Sequence, residues 1–266
     1  DADPEGALSQ VCGMEVDPIS VRLANIRVAL KQPYILSNKN VNIKIKQCDM
    51  FADEEMISNA DVILMNPPFM RYETQKKRRV PPELRKYYAD RIAEIDGEIS
   101  VTTNGQANLF NYYVEYVAKK MKEQSILGVI LDNKWYHNCY GEKLRNFVLD
   151  KFDILGIIGY PHDVYFSKYQ IATTIMIAKK KSKIQKKDNH MIKFLRCRTN
   201  PRDTDLAKLY DTFVNEDTLN GLEDVPNNWT CRIVSQGDLN HKTGWSKYFF
   251  REKLDFYPIE KWPSLE

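Results

Sequence analysis

No stretch of the chain approaches the ~18 uninterrupted apolar residues of a membrane span, which excludes an ordinary transmembrane helix within it. The opening residues Asp1-Ala2-Asp3-Pro4-Glu5 lack the basic and apolar regions of a secretion signal, so a cytoplasmic location is expected. Cysteine is sparse and scattered. Cys12, Cys48, Cys139, Cys197 and Cys231 form no C-x-x-C pair, which argues against both a zinc site and a disulfide framework. His137 and His162 stand alone without metal-ligand spacing, and no metal is expected. Charge of one sign is also nearly absent in excess: 39 basic against 36 acidic residues leave +3, which neither demands nor forbids a nucleic-acid partner.

What is present is a folded composition. With 266 residues, 43% of them hydrophobic, the chain is long enough for one sizeable α/β core plus an appendage, and too apolar for disorder. Strand-like and helix-like segments alternate, the pattern of a mostly parallel sheet with helices on both faces. A strand runs to about Val16. Asp17 then has the character of a helix N-cap with Pro18 at the first helical position, and Ile19, Leu23, Ile26 and Leu30 recur as one apolar stripe. Val41, Ile43 and Ile45 alternate as a strand ending near Cys48-Asp49, and Asp61 to Met65 is a short buried strand halted by two prolines. Asn108 can cap a helix carrying Leu109, Tyr112, Tyr113, Tyr116 and Val117 on one face. Strands are predicted at Ile126–Leu131, Ile154–Ile158 and Ile171–Ile177, with the lysines from 179 to 187 read as a solvated linker. Beyond it periodicity weakens. Aromatics from Trp229 onward, among them Trp245, Tyr248 and Phe249, need a surface to pack on, either the core or a neighbouring domain.

The most specific motif is Asn66-Pro67-Pro68-Phe69, directly after the third strand. Pro67 biases Asn66 toward extended backbone, and the two prolines remove both amide donors while stiffening the turn. A rigid acceptor corner results. The Asn66 side-chain oxygen and the Pro67 carbonyl can accept both hydrogens of a planar NH2 group, with Phe69 against the ring that bears it. Such nitrogens are poor nucleophiles because their lone pair is delocalised. Two acceptors that favour a pyramidal nitrogen expose that pair, a gain realised mainly in the transition state. Arg71, Lys76, Lys77, Arg78 and Arg79, interleaved with Tyr72, form a basic loop beside this corner, suited to gripping phosphates.

Six segments in fixed order extend the pattern: Gly13–Pro18, Cys48–Phe51, Asn66–Phe69, Asn108–Phe110, Gly128–Trp135, and Val164–Phe166 through Thr173–Ile175. Over residues 11 to 180 they resemble gamma-class N6-adenine DNA methyltransferases of restriction-modification systems. The resemblance implies a Rossmann-like S-adenosylmethionine-dependent fold and double-stranded DNA as partner. It also implies transfer of a methyl group to adenine N6 by in-line displacement, and a restriction or specificity subunit or fused domain. It assigns Glu15 to the cofactor ribose, Asp49 and Met50 to its adenine, Phe110 to its pocket, and Phe166 to the far face of an extruded adenine. The family's first strand and glycine-rich turn have no counterpart here, Asp3-Pro4-Glu5-Gly6-Ala7 being at most a remnant. The catalytic core is accordingly expected over 1–185, incomplete at its amino terminus, with 186–266 leading toward a target-recognition domain. Cytosine C5 chemistry is disfavoured because no cysteine follows a proline. Cytosine N4, ribosomal RNA guanine N2 and protein glutamine N5 all present the same planar amine and stay open, as does a non-catalytic DNA-binding subunit with a degenerate cofactor site.

Overall fold

The computed structural model describes residues 10–31, 44–69, 81–102, 108–137, 139–160, 172–182, 190–197, 207 and 229–249. The chain divides into two compact units, Asp1–Ala60 and Asp61–Glu266.

The first unit has the order β1 (Cys12–Glu15), α1 (Pro18–Lys31), β2 (Lys44–Gln47) and α2 (Glu54–Asn59). β1 and β2 pair in parallel, from Cys12 opposite Lys44 to Glu15 opposite Gln47. The helix start follows the sequence. Asp17 accepts from the amide of Ser20 at 2.9 Å and its hydroxyl at 2.7 Å, satisfying a first-turn donor, and Pro18 sits where no amide is needed. These bonds hold the Asp17 carboxyl below its usual range, the Ser20 hydroxyl first among the causes. The stripe of Ile19, Leu23, Ile26 and Leu30 forms as a stripe, yet each member is more than half exposed. Val21 and Val28, on the other side of α1, are half-buried instead.

The second unit contains β3 (Val62–Met65), α3 (Pro82–Asp96), α4 (Leu109–Lys120), β4 (Ile126–Asp132), α5 (Lys134–His137), α6 (Glu142–Lys151), β5 (Phe152–Gly159), β6 (Thr173–Lys180), β7 (Met191–Cys197) and β8 (Trp229–Ser235). Its six-stranded sheet has the order β3-β4-β6-β5-β7-β8. The expectation of a mostly parallel sheet is corrected here. β3/β4 and β5/β7 are parallel, whereas β4/β6, β5/β6 and β7/β8 are antiparallel, so the sheet is mixed. Apolar runs mark strands buried on both faces but carry no sign of direction. β6 enters between β4 and β5 in the reverse sense.

Burial explains why these segments hold. All of β5 except Leu155 is buried, as are Leu127, Val129 and Leu131 of β4 and Val114, Val117 and Ala118 of α4. Each such aliphatic side chain withdrawn from water contributes roughly 1.5–3 kcal/mol before entropy is counted. α3 closes at Gly97, whose φ of 76° takes the left-handed turn that a side chain would strain. Asn108 stands at the N-cap position of α4 without making a side-chain cap bond. The neighbouring Asn111 does the tethering, donating from Nδ2 to the carbonyl of Thr102 at 2.9 Å.

One further expectation changes and another is met. Lys180 and Lys181 are not in a solvated linker: Lys180 ends β6 and donates to the Ala118 carbonyl, and Lys181 Nζ reaches the Leu149 carbonyl at 2.8 Å. Both serve orphan carbonyls near the C-termini of α4 and α6, where a cation is favoured. Trp245, Tyr248 and Phe249 pack on the core, one of the two surfaces expected for them. Trp245 meets Trp135 edge-on at 5.5 Å, and Phe249 lies 5.3 Å from Phe194 of β7.

Candidate functional site

The first unit places two acidic side chains at the carboxyl ends of neighbouring parallel strands, where ligands of open α/β sheets bind. Glu15 ends β1 and is exposed, with Oε1 accepting the Asp17 amide at 3.0 Å. The Cys48 amide donates to the Glu15 carbonyl at 3.1 Å, bringing the end of β2 alongside. Asp49 follows, and its Oδ1 accepts the Phe51 amide at 3.1 Å, closing a turn that leaves Met50 half-buried and Phe51 buried. Glu15, Asp49 and Met50 are therefore gathered in one unit.

The second unit carries the acceptor corner. β3 pairs with β4 up to Met65 opposite Val129, and the chain then leaves the sheet through Asn66. Asn66 is exposed, Pro67 buried, Pro68 and Phe69 half-buried. The buried proline anchors the turn while the amide side chain before it faces solvent. Phe110, on the first turn of α4, is only 1% exposed and belongs to the core in this conformation.

The segment after β4 carries no role that its residue types announce. β4 ends at Asp132, whose Oδ1 accepts the Lys134 amide at 3.0 Å, while the Asn133 amide donates to the Ala172 carbonyl at 3.0 Å. Trp135 fixes the turn from beneath, its Nε1 donating to Thr174 Oγ1 at 3.0 Å. The Tyr160 amide, just past β5, donates to the Thr173 carbonyl at 3.0 Å. Thus the ends of β3, β4 and β5 and the start of β6 share one rim of the sheet. Burial pushes the Tyr136 hydroxyl up to about 12, so it stays protonated at neutral pH. Burial also lowers His137, which keeps it neutral there.

Among the described residues no group of three or more His, Cys, Asp or Glu is arranged to hold a metal. No helix of the described residues is long and apolar enough to cross a membrane. Phe166 and the basic residues Arg71, Lys76, Lys77, Arg78 and Arg79 lie outside the described residues.

Known proteins are similar to this chain in sequence or in fold. The chain is 28% identical over 121 residues to the type II methyltransferase M.BstVI of Geobacillus stearothermophilus, a match covering 44% of this chain and 19% of that protein. It thus spans about a fifth of that curated relative. The type IIG restriction endonuclease BpuSI has the same fold at a TM-score of 0.68 and 19% identity, over 88% of this chain and 26% of that one. The methyltransferase subunit of a type I restriction-modification system from Streptococcus thermophilus follows at 0.57 and 15% identity, over 85% and 44%. The model of the Eco57I restriction-modification methylase family matches residues 9–166, more than half of the sequence. The chain belongs to the Eco57I restriction-modification methylase family.

Proposed function

We propose that this chain is the catalytic portion of a DNA methyltransferase that moves a methyl group from S-adenosylmethionine to adenine N6 within a restriction-modification system. One observation carries the reading: Asn66 leaves β3 exposed, directly ahead of a proline pair whose first ring is buried. An acceptor side chain and an acceptor carbonyl are then held by a turn that cannot swing away.

The residues present fit the nucleoside half of the cofactor. Glu15 is an exposed carboxylate with one oxygen committed to the Asp17 amide, leaving acceptor capacity for ribose hydroxyls. Asp49 and Met50 serve the adenine in this reading. When bound, the cofactor supplies an electrophilic methyl group on a sulfonium. Adenine is extruded from the duplex between Phe69 and Phe166, and Arg71, Lys76, Lys77, Arg78 and Arg79 hold flanking phosphates. Asn66 Oδ1 and the Pro67 carbonyl accept the two N6 hydrogens, which favours a pyramidal nitrogen and frees its lone pair for attack. With the cofactor bound, its sulfonium would give up the methyl group to the nitrogen held by Asn66 and Pro67, sulfur would keep the electron pair of the broken C–S bond, and the surplus proton would pass to water. No strong base is required.

The reading includes a further strand with a glycine-rich turn, whose amides serve the methionine half of the cofactor. β1 and β3 each have a single strand partner among the described residues, and Val62 and Leu64 of β3 are exposed, Leu64 to 80%. Such edges invite pairing.

The test is chemical. The full-length protein is incubated with S-adenosylmethionine and unmodified duplex DNA, which is then digested to nucleosides and read by mass spectrometry. N6-methyladenine is expected. Methylcytosine alone, or methyl groups found only on RNA or protein, would overturn the assignment.

A further inference from the structure

We propose that Lys134 is a phosphate-binding residue that grips the DNA backbone beside the extruded base. The proposal rests on the reading of the Asn66 corner given above and adds a DNA contact from β4. In the sheet order, β4 lies between β3 and β6. The turn at 132–134 thus follows the strand next to β3 and lies about one strand spacing, ~4.8 Å, from the start of β6; because Met65 stands opposite Val129, Asp132 lies about 10 Å further along the same rim than the end of the strand that delivers Asn66.

The turn is rigid. Its backbone is held at both Asn133 and Lys134, the first by the Ala172 carbonyl and the second by the Asp132 carboxylate, and Trp135 beneath it is buried. Lys134 itself is partly exposed, so its side chain can reach a ligand from a fixed backbone position.

Several lysines around the sheet are already committed. Lys119 is paired with Asp96 at 2.8 Å, Lys122 with Asp61, Lys151 with Asp150 at 2.9 Å, and Lys180 and Lys181 are spent on helix carbonyls. Lys134 has no carboxylate partner among the described residues. Asp132, the nearest acid in sequence, is buried and turns one oxygen to the backbone. A cation without a carboxylate partner among the described residues, on the rim where the amine-accepting corner emerges, is matched in charge to a phosphodiester next to the target base.

The experiment measures binding of the full-length protein to a duplex oligonucleotide that it methylates, by fluorescence anisotropy over a series of salt concentrations. Lys134→Ala is expected to weaken binding several-fold and to flatten the slope of log K against log salt by about 0.9, the value of one phosphate contact on B-form DNA. Lys134→Arg should restore both, and Lys151→Ala, at the opposite end of the sheet, should alter neither. Lys134→Gln, which keeps the length of the side chain without charge, should behave as the alanine variant. A wild-type slope in both uncharged variants overturns the phosphate contact and leaves the methylation reading standing. Absence of any nucleobase methylation by the wild-type protein overturns that reading, whatever the slope.

Discussion

Oε2 of Glu115 lies 2.7 Å from Oγ1 of Thr102, and the same carboxylate, fully buried on α4, accepts from the Ser100 hydroxyl at 2.8 Å and the amides of Val101 and Thr102 at 2.9 and 3.0 Å. Lys119, one turn along, stands 3.9 Å away and supplies the compensating charge. One side chain thus anchors the segment from 100 to 102 onto the helix that begins at Leu109. Glu115→Ala would strand these donors in a dry interior, at a cost of about 3–5 kcal/mol. Glu115→Gln keeps the shape and one carbonyl acceptor, and should cost less. Urea unfolding followed by circular dichroism measures both; an alanine variant as stable as the wild type would refute the anchoring role.

Gln236 plays a similar part for β5. Its Oε1 accepts the Ile154 amide at 2.9 Å and its Nε2 donates to the Phe152 carbonyl at 2.7 Å, beside the register shift between Ile154 and Gly156. The β5/β7 ladder begins only at Gly156, and this side chain satisfies the β5 groups ahead of it. Gln236→Leu is expected to lose about 1–3 kcal/mol and to speed hydrogen exchange at the Ile154 amide first. Uniform exchange rates in the variant and the wild type would contradict this.

The cysteines divide by burial. Cys12 and Cys139 are exposed, while burial pushes Cys197 up to about 12 and Cys231 up to about 11. Because the thiolate is the reactive form, a thiol reagent at pH 8 should modify Cys12 and Cys139 rapidly and leave Cys197 and Cys231 untouched until unfolding. The same shifts bear on stability. Both groups are protonated in the fold at a pH where the unfolded chain ionises them. Their contribution is therefore complete below about pH 9 and lost as pH climbs toward their folded values. Replacing both with Val or Ala should flatten the alkaline decline in thermal midpoint between pH 9 and pH 11, and an unchanged decline would assign it elsewhere.

Local chemistry made part of this molecule legible in advance. Asp17 and Pro18 announce the start of α1 because a cap and a fixed φ act within a few residues, and the prolines after Asn66 announce where β3 must stop. The carboxylates at 15 and 49 could be placed at strand ends for the same reason. Strand direction was not legible, since the apolar run of β6 reads identically whichever way it runs. β7 and β8 escaped because Lys193 and Arg196 interrupt the alternation of one, and Arg232 that of the other. The roles of Lys180, Lys181 and Asp132 depend on partners far away in sequence, Ala118, Leu149 and the turn over Trp135, which only the folded chain assembles.

The amine-accepting corner is tested most directly by Asn66→Ala in the full-length protein. Transfer of labelled methyl to DNA under single-turnover conditions is measured together with equilibrium binding of S-adenosylmethionine. Loss of one preorganised transition-state partner should slow transfer by about 10²–10³-fold, with the fold and cofactor affinity little changed. A variant that transfers methyl groups as fast as the wild type would show that Asn66 does not hold the target amine.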